Sequence, residues 1–176
     1  EHTPACTSTL DLDCDGSSGA PGNDYNAPVY NCLSPGVPVA DNDVLLSADG
    51  GIAVMTVAIS AGALDGPAEV LVPAVPLPAT ILATGTGTGT VTLTNAGGAT
   101  VGDFIAALKA LRYQNLAAPP TPGLRQVSVS FTTGSGQPVG PAHAHVNVQA
   151  LPAVQVNLGP DQAICQGQSA NLNAGV

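Results

Sequence analysis

The segment TVTLTNAGGATVGDFIAALKALRYQN, residues 90–115, contains both kinds of regular structure that the sequence predicts. It begins with alternating Thr and apolar residues, the period of a β-strand. After AGG the period lengthens, because Val101, Phe104, Ile105, Leu108 and Leu111 share one face of a helix. Thr100 caps its amino end, with Asp103 three residues later as the partner of a capping box. The sequence predicts one short helix, over about residues 100–111.

Immediately before this segment, threonine recurs at every second residue in TGTGTGTVTLT, residues 84–94. Period two predicts one strand with six hydroxyl side chains on one face: Thr84, Thr86, Thr88, Thr90, Thr92 and Thr94. Such a face is most often a solvated sheet surface. It also suits packing between subunits, whereas binding of ice or crystalline polysaccharide needs a two-dimensional lattice that one strand does not supply.

Other segments favour an all-β fold. Residues 52–59 (IAVMTVAI) are almost continuously apolar, which predicts a strand buried on much of both faces. Residues 68–77 read as an extended edge segment with prolines. Residues 124–133 and 143–148 alternate and are separated by a turn, which predicts an antiparallel pair. Short strands at this spacing indicate a two-sheet β-sandwich.

The charge composition of the chain limits the classes of function that the sequence allows. The 176 residues include 12 Asp and Glu but 3 Lys and Arg, for a formal charge of −9. Three cations cannot neutralise a run of phosphates, so the composition argues against nucleic-acid binding and docking on anionic lipid. Apolar residues make up 44%, which disfavours disorder. The longest apolar stretch, residues 68–83, is broken by three prolines, so no membrane insertion is expected.

Eight acids lie in the first 50 residues, without any Lys or Arg: Glu1, Asp11, Asp13, Asp15, Asp24, Asp41, Asp43 and Asp49. Asp11 to Gly16 reads DLDCDG, and alternating carboxylates before a glycine are typical of a calcium loop. An EF-hand requires Glu at the twelfth position, where Gly22 stands. The loop therefore predicts a calcium site completed by ligands from elsewhere in the chain, and the alternative is a solvated acidic turn.

The four cysteines are Cys6, Cys14, Cys32 and Cys165. Their even number and the absence of a CxxC pair favour disulfides in an extracellular setting over a zinc site. All three pairings stay open, although at least one bridge among the first three cysteines is expected because they lie close in sequence.

Catalytic motifs are not found. The sequence contains no GxSxG, HExxH or Walker loop, so no enzyme is predicted. His143 and His145 are predicted to share one face of a strand. The two histidines are either a pair of metal ligands or two surface residues.

Four segments give the chain a resemblance to a known family. They are LDLDCDGSSGAPGNDY (residues 10–25), VADNDV (39–44), the helix-containing segment 90–115, and RQVSVSFTTGSG (125–136). Together they resemble the cadherin-like repeats of large bacterial surface proteins and adhesins. The resemblance implies an immunoglobulin-like Greek-key β-sandwich that binds calcium near one end. The ligands it implies are Asp11, Asp13, Asp15, Asp24, Asp41 and Asp43.

The same resemblance suggests three parts: an acidic calcium-loop segment (1–28), a cadherin-like sandwich (29–150) and a carboxyl-terminal extension (151–176). The extension is similar to the start of another immunoglobulin-like module, or serves as a donor strand, with Ile164 and Leu172 as assembly residues. Two features depart from the family: Cys14 and Cys32 are not part of its pattern, and Thr132 and Thr133 stand where an acid is common.

Two functional hypotheses follow. The first is a calcium-stabilised structural module of an extracellular adhesin or surface filament, whose partners are copies of itself or neighbouring modules and whose assembly uses strand exchange. The second is a carbohydrate-binding module of a secreted protein. The scarcity of aromatics weighs against the second, since the chain has no Trp and three Tyr.

Overall fold

The structure is a computed structural model that describes residues 8–150. Four predicted residues, Cys6, Cys165, Ile164 and Leu172, lie outside this range, as does the extension 151–176. Most of the regular structure is β-strand, with one short α-helix in the described range, which agrees with the all-β prediction. That helix is not long and apolar enough to cross a bilayer.

The elements follow one another from a short-stranded beginning to two long final strands. They are β1 (Thr9–Asp11), β2 (Tyr25–Asn26), β3 (Val37–Pro38), β4 (Leu45–Ser47), β5 (Ile52–Ala61), β6 (Glu69–Pro73), β7 (Ile81–Thr84), β8 (Thr90–Asn95), α1 (Val101–Ala110), β9 (Leu111–Asn115), β10 (Gly123–Thr133) and β11 (Pro138–Val148). A 3-10 turn, Gly66–Ala68, precedes β6.

The strands form three sheets around one core. The largest has the order β2-β11-β10-β5-β8-β7, in which only β2 runs parallel to its neighbour. A second sheet has the order β3-β9-β6, and β1 pairs with β4. Inward-facing residues of all three sheets and of α1 belong to one hydrophobic cluster, which fits a β-sandwich.

The predicted antiparallel pair of long strands is confirmed. In β10 and β11, Gln126 lies opposite His145 and Ser128 opposite His143. Val127, Val129 and Phe131 alternate with these polar residues and are buried. The pair therefore joins the edge strand β2 to the rest of the large sheet.

The run at residues 52–59 forms β5 as predicted, but it is buried chiefly on one face. Ile52, Met55 and Val57 are buried, whereas Val54 and Thr56 are only partly buried. The expectation of burial on both faces is wrong because nothing in residues 8–150 covers the outer side of this sheet.

The threonine repeat does not form a single strand. Thr84 ends β7 and Thr90 begins β8, so residues 85–89 are a hairpin turn. Gly85 has φ of 76°, and a Cβ there would lie 2.2 Å from the carbonyl oxygen of Thr90. Glycine tolerates this conformation without a steric penalty. Period two alone cannot distinguish a strand from a glycine-containing turn between two strands.

The helix agrees closely with its prediction, and its capping box is complete. The Thr100 hydroxyl accepts a hydrogen bond from the Asp103 backbone N–H at 3.2 Å, and the Asp103 carboxylate accepts from the Thr100 N–H at 2.8 Å. Phe104 and Leu108 are fully buried against the sheets. The helix ends at Ala110 because Leu111 turns directly into extended backbone.

We expect Thr100→Ala to lower the free energy of unfolding by about 1 kcal/mol, since one helix N–H loses its partner. Urea unfolding followed by circular dichroism measures this effect. Thr86→Ala is the matched control, because Thr86 lies exposed in the hairpin turn. Equal midpoints for the two variants would contradict a stabilising role for the cap.

Candidate metal site and a buried ion network

Two segments remote in sequence meet at the acidic end of the chain. One follows β1, and the other connects β3 to β4. The Asp41 N–H donates to the Leu12 carbonyl oxygen at 2.9 Å, and the Leu12 N–H donates to the Asn23 carbonyl oxygen at 3.0 Å. Leu12 and Val39 are fully buried. These apolar anchors hold the neighbouring aspartates of both segments together.

Four carboxylates converge at this junction. One oxygen each from Asp13, Asp15, Asp41 and Asp43 lies within 4.8 Å of all the others. Asp13 is buried, Asp41 and Asp43 are half-buried, and Asp15 is exposed. Among residues 8–150 none of the four forms an ion pair with a side-chain cation. The cluster therefore concentrates negative charge without a counter-charge from the protein.

Asp13 is held in its ionised form. The hydroxyl of Ser18 donates to its carboxylate, as do the backbone N–H groups of Ser18 at 2.9 Å and Ser17 at 3.0 Å. The Ser18 hydroxyl is the largest cause of a pKa below the usual range for this carboxyl. Because the pKa is lowered on folding, the stability this group contributes is present above the pKa of the unfolded chain. It is lost as pH falls through the folded pKa.

The negative charge of the cluster also affects the pKa of Tyr25. Its side chain is buried beside the loop. Burial, together with the charges of Asp41 and Asp13, raises the pKa of Tyr25 to about 12.

One carboxylate oxygen in the cluster lacks any donor. Asp43 accepts from the Asp15 N–H through Oδ2 at 2.6 Å, but its Oδ1 is buried and has no hydrogen-bond partner. A buried anionic oxygen without a donor is costly unless a cation occupies the space beside it. This unpartnered atom belongs to a group of four carboxylates whose oxygens a hard cation prefers, and the donor set therefore fits calcium.

The cations of the chain donate to groups other than the four clustered carboxylates. Lys109 Nζ donates to the backbone carbonyl oxygen of Asn42. Arg112 Nη1 donates to the carbonyl oxygens of Lys109 and Leu111. Arg125 lies in a separate buried network. These are the three Lys and Arg of the chain, and none of them forms an ion pair with the four aspartates, although Lys109 binds the backbone between Asp41 and Asp43.

Two of the six predicted ligands do not join the cluster. Asp11 accepts the Asp13 N–H at 3.1 Å, which shapes the loop. Asp24 instead contacts β11, where Oδ1 accepts the His143 N–H at 2.7 Å and Oδ2 lies 3.1 Å from His145 Nε2. Asp24 therefore holds the loop against the edge of the large sheet. The spacing of the aspartates in the sequence did not distinguish the structural roles of Asp11 and Asp24 from metal ligation.

A comparison with known proteins adds nothing to this geometry. No protein-family model, curated protein or solved structure matches the chain. Function is therefore inferred from the site itself.

The predicted bridge between nearby cysteines is not seen in the described range. Cys14 and Cys32 are both exposed free thiols. Their closeness in sequence did not bring them together, because each lies on a solvent-facing turn.

A second group of ionic side chains, which is buried, was not predicted from the sequence. Arg125 has a fully buried side chain, and its Nη2 lies 3.1 Å from Glu69 Oε1 and 3.3 Å from Asp65 Oδ2. Arg125 occupies an inward position of β10, in register with buried Val127 and Val129. The alternation of buried residues in β10 could have revealed this network from the sequence. A charged residue at a core position predicts a buried partner of opposite charge.

Neutral groups donate to the two acids of this network, whereas Arg125 Nη1 is buried without a hydrogen-bond partner. The Tyr113 hydroxyl donates to Glu69 Oε2 at 3.0 Å, and burial followed by the Glu69 charge raises the pKa of Tyr113. The Thr121 hydroxyl and the Asn115 side-chain amide donate to Asp65 and lower its pKa. The network joins β6, β9 and β10 and stabilises the fold rather than presenting groups to a ligand.

All five aromatic side chains are buried: Tyr25, Tyr30, Phe104, Tyr113 and Phe131. The chain has no Trp. No aromatic ring is therefore exposed as a flat platform for a sugar.

Proposed function

We propose that this chain is a non-catalytic, calcium-stabilised structural module of an extracellular adhesin or surface filament. The observation that carries the proposal is the convergence of Asp13, Asp15, Asp41 and Asp43 without a protein cation. Calcium supplies the missing positive charge, with the four carboxylates as its protein ligands. In this proposal the fold is the cadherin-like Greek-key sandwich that the sequence resembles.

Calcium at this position has a structural task. The segment that follows β1 contains few strand residues before β3, because β2 is only two residues long. Asp15 and Asp43 are 28 residues apart in sequence, yet the Asp15 N–H already donates to the Asp43 carboxylate. A cation shared by both segments cross-links them, and it stabilises the folded chain by RT ln(1 + c/Kd), where c is the free calcium concentration.

The path of the chain suits a linear array of modules. The Asp49 N–H donates to the Ser8 hydroxyl, beside the turn that joins β10 to β11. Val148 pairs with Gly123 at the opposite end of the same two strands. The described part therefore extends along the length of the long strands. The partners that we propose are neighbouring modules or copies of the same chain, with strand exchange by residues 151–176 as one form of linkage.

The carbohydrate-binding alternative has no observation in its favour. The burial of every aromatic side chain removes the platform on which that hypothesis depends.

Calorimetric titration tests calcium binding. We expect the wild-type protein to bind calcium with Kd of about 10⁻⁴ to 10⁻³ M, the range of extracellular modules. Asp13→Asn and Asp43→Asn each remove a carboxylate charge, and we expect the Kd to rise about tenfold or more, equivalent to about 1.4 kcal/mol.

Asp49→Asn is the matched control, because Asp49 is exposed and lies outside the four-carboxylate cluster. It should bind calcium as the wild type does. The proposal is wrong if wild-type protein takes up no calcium at millimolar concentration, or if the Asp49 variant loses as much affinity as the Asp13 variant.

A further inference from the structure

Exposed apolar side chains collect at one end of the sandwich. This end consists of loops 29–36, 62–68 and 116–124 together with residues 147–150, and it is called the exit end below because the chain continues from it into residue 151. In residues 8–150, eight large apolar side chains are exposed. Five of the eight belong to the exit end: Val29, Leu33, Leu64, Leu116 and Leu124.

One side of the exit end is held together by Tyr30. Its carbonyl oxygen accepts a hydrogen bond from the Gln149 N–H at 2.8 Å, so the 29–36 loop lies beside the last described residues. Its hydroxyl accepts from the Asn115 N–H at 3.0 Å. Leu116, which follows Asn115, therefore extends from the same end of the molecule.

The other side of the exit end is formed where β10 begins. Val148 lies opposite Gly123 in the antiparallel pair. A Cβ on Gly123 would lie 3.1 Å from Leu64 Cδ1, so the Leu64 side chain lies against this residue. Leu124 is the next residue of β10. The exposed apolar side chains therefore flank the point at which the chain leads into residue 151.

The exit end presents almost no charge to an apolar partner. The four segments that form it contain one charged residue, Asp65. Its side chain is 10% exposed, and its carboxylate lies 3.3 Å from Arg125 Nη2. The sequence that follows, LPAVQVNLGP (residues 151–160), contains no charged residue. Contact between the two therefore leaves no unpaired charge away from water.

The segment 151–158 has the pattern and the length to cover this end. Leu151 is apolar, and Val154, Val156 and Leu158 recur at every second residue, which places them on one face of an extended chain. Eight extended residues span about 26 Å. From the segment of Tyr30 across β11 and β10 to β5 there are three strand spacings, or about 15 Å. The segment is therefore long enough to cross the exit end.

Covalent attachment favours this segment over a second copy of the chain. A segment joined to Ala150 by a short connection is present at an effective concentration in the millimolar range. A second copy would lose translational and rotational freedom before any contact was gained. A contiguous exposed apolar surface marks a site of interaction, and the segment attached to it is its nearest apolar partner.

We propose that residues 151–158 pack against the exit end of their own chain, with the apolar side chains of this segment in contact with Leu64 and Leu124. Residues 159–176, which include Ile164 and Leu172, stay available for linkage to a neighbour. The proposal goes beyond the proposed function and does not depend on calcium binding.

Hydrogen exchange of the full chain, followed by mass spectrometry, tests the proposal. We expect the amides of residues 153–158 to exchange about tenfold or more slowly than those of an unstructured chain, because packing against the exit end protects them. Leu64→Ser and Leu124→Ser each remove an apolar side chain from the exit end and should abolish most of this protection.

Leu82→Ser is the matched control, because Leu82 is 55% exposed on β7 and lies outside the exit end. It should leave the protection unchanged, and melting curves establish that each variant is folded. Exchange of the wild type at the rate of an unstructured chain overturns the proposal, as does protection that survives both exit-end substitutions. Protection that appears only at high protein concentration also overturns it and assigns the exit end to a second copy.

Discussion

Replacement of Arg125 by Met is expected to lower the free energy of unfolding by about 3 to 5 kcal/mol, because it leaves buried carboxylates without their cation. Glu69 has a fully buried side chain, and that of Asp65 is only 10% exposed. The Met side chain fills much of the volume but donates no hydrogen bond. The loss is a large part of the 5 to 15 kcal/mol by which domains are typically stable.

Urea unfolding at pH 7 measures this loss. Arg112→Met is the matched control, because the Arg112 guanidinium contacts only backbone carbonyl oxygens and is not fully buried. We expect the control to cost about 1 kcal/mol. A second variant, Arg125→Met combined with Glu69→Met, should recover part of the lost stability, since one buried charge disappears with its partner. A single Arg125→Met substitution that costs less than its control would exclude a stabilising network.

Removal of calcium is expected to lower the melting temperature by about 5 to 10 °C. A ligand present at 100 times its Kd adds about 2.7 kcal/mol, and for a Kd of about 10⁻⁴ to 10⁻³ M this requires about 10 to 100 mM calcium. In a chain of this size each kcal/mol corresponds to about 2 to 4 °C. The physical cause is repulsion among Asp13, Asp15, Asp41 and Asp43, which no side-chain cation relieves when the ion is absent.

Scanning calorimetry with calcium and with a chelator measures the shift. Asp43→Asn should lose about half of the shift or more, because it loses the carboxylate whose Oδ1 has no protein donor, and a tenfold higher Kd leaves only about 1.4 kcal/mol of stabilisation by calcium. Asp49→Asn should retain the full shift. Identical wild-type melting temperatures in calcium and in chelator would show that the four aspartates form a solvated acidic turn.

Local features of the sequence were enough to predict the helix and the antiparallel pair of long strands, β10 and β11. Thr100 and Asp103 are three residues apart, so the capping box forms within the segment that it caps. In the same way, alternation in β10 identifies Val127, Val129 and Phe131 as buried without knowledge of any partner. The acidic loop was also visible, because its aspartates are neighbours in sequence.

Tertiary structure decided which residues work together. Asp41 and Asp43 reach Asp13 because buried Leu12 and Val39 bring two remote segments into contact, whereas Asp24 is drawn to β11 by a backbone N–H. Glycine φ angles divided the threonine repeat between β7 and β8, and strand register then placed Thr84 and Thr92 beside Thr56 of β5. Periodicity along a chain specifies which side of a strand a residue occupies. Contacts across strands and between loops depend on packing of the whole core, which no single segment encodes.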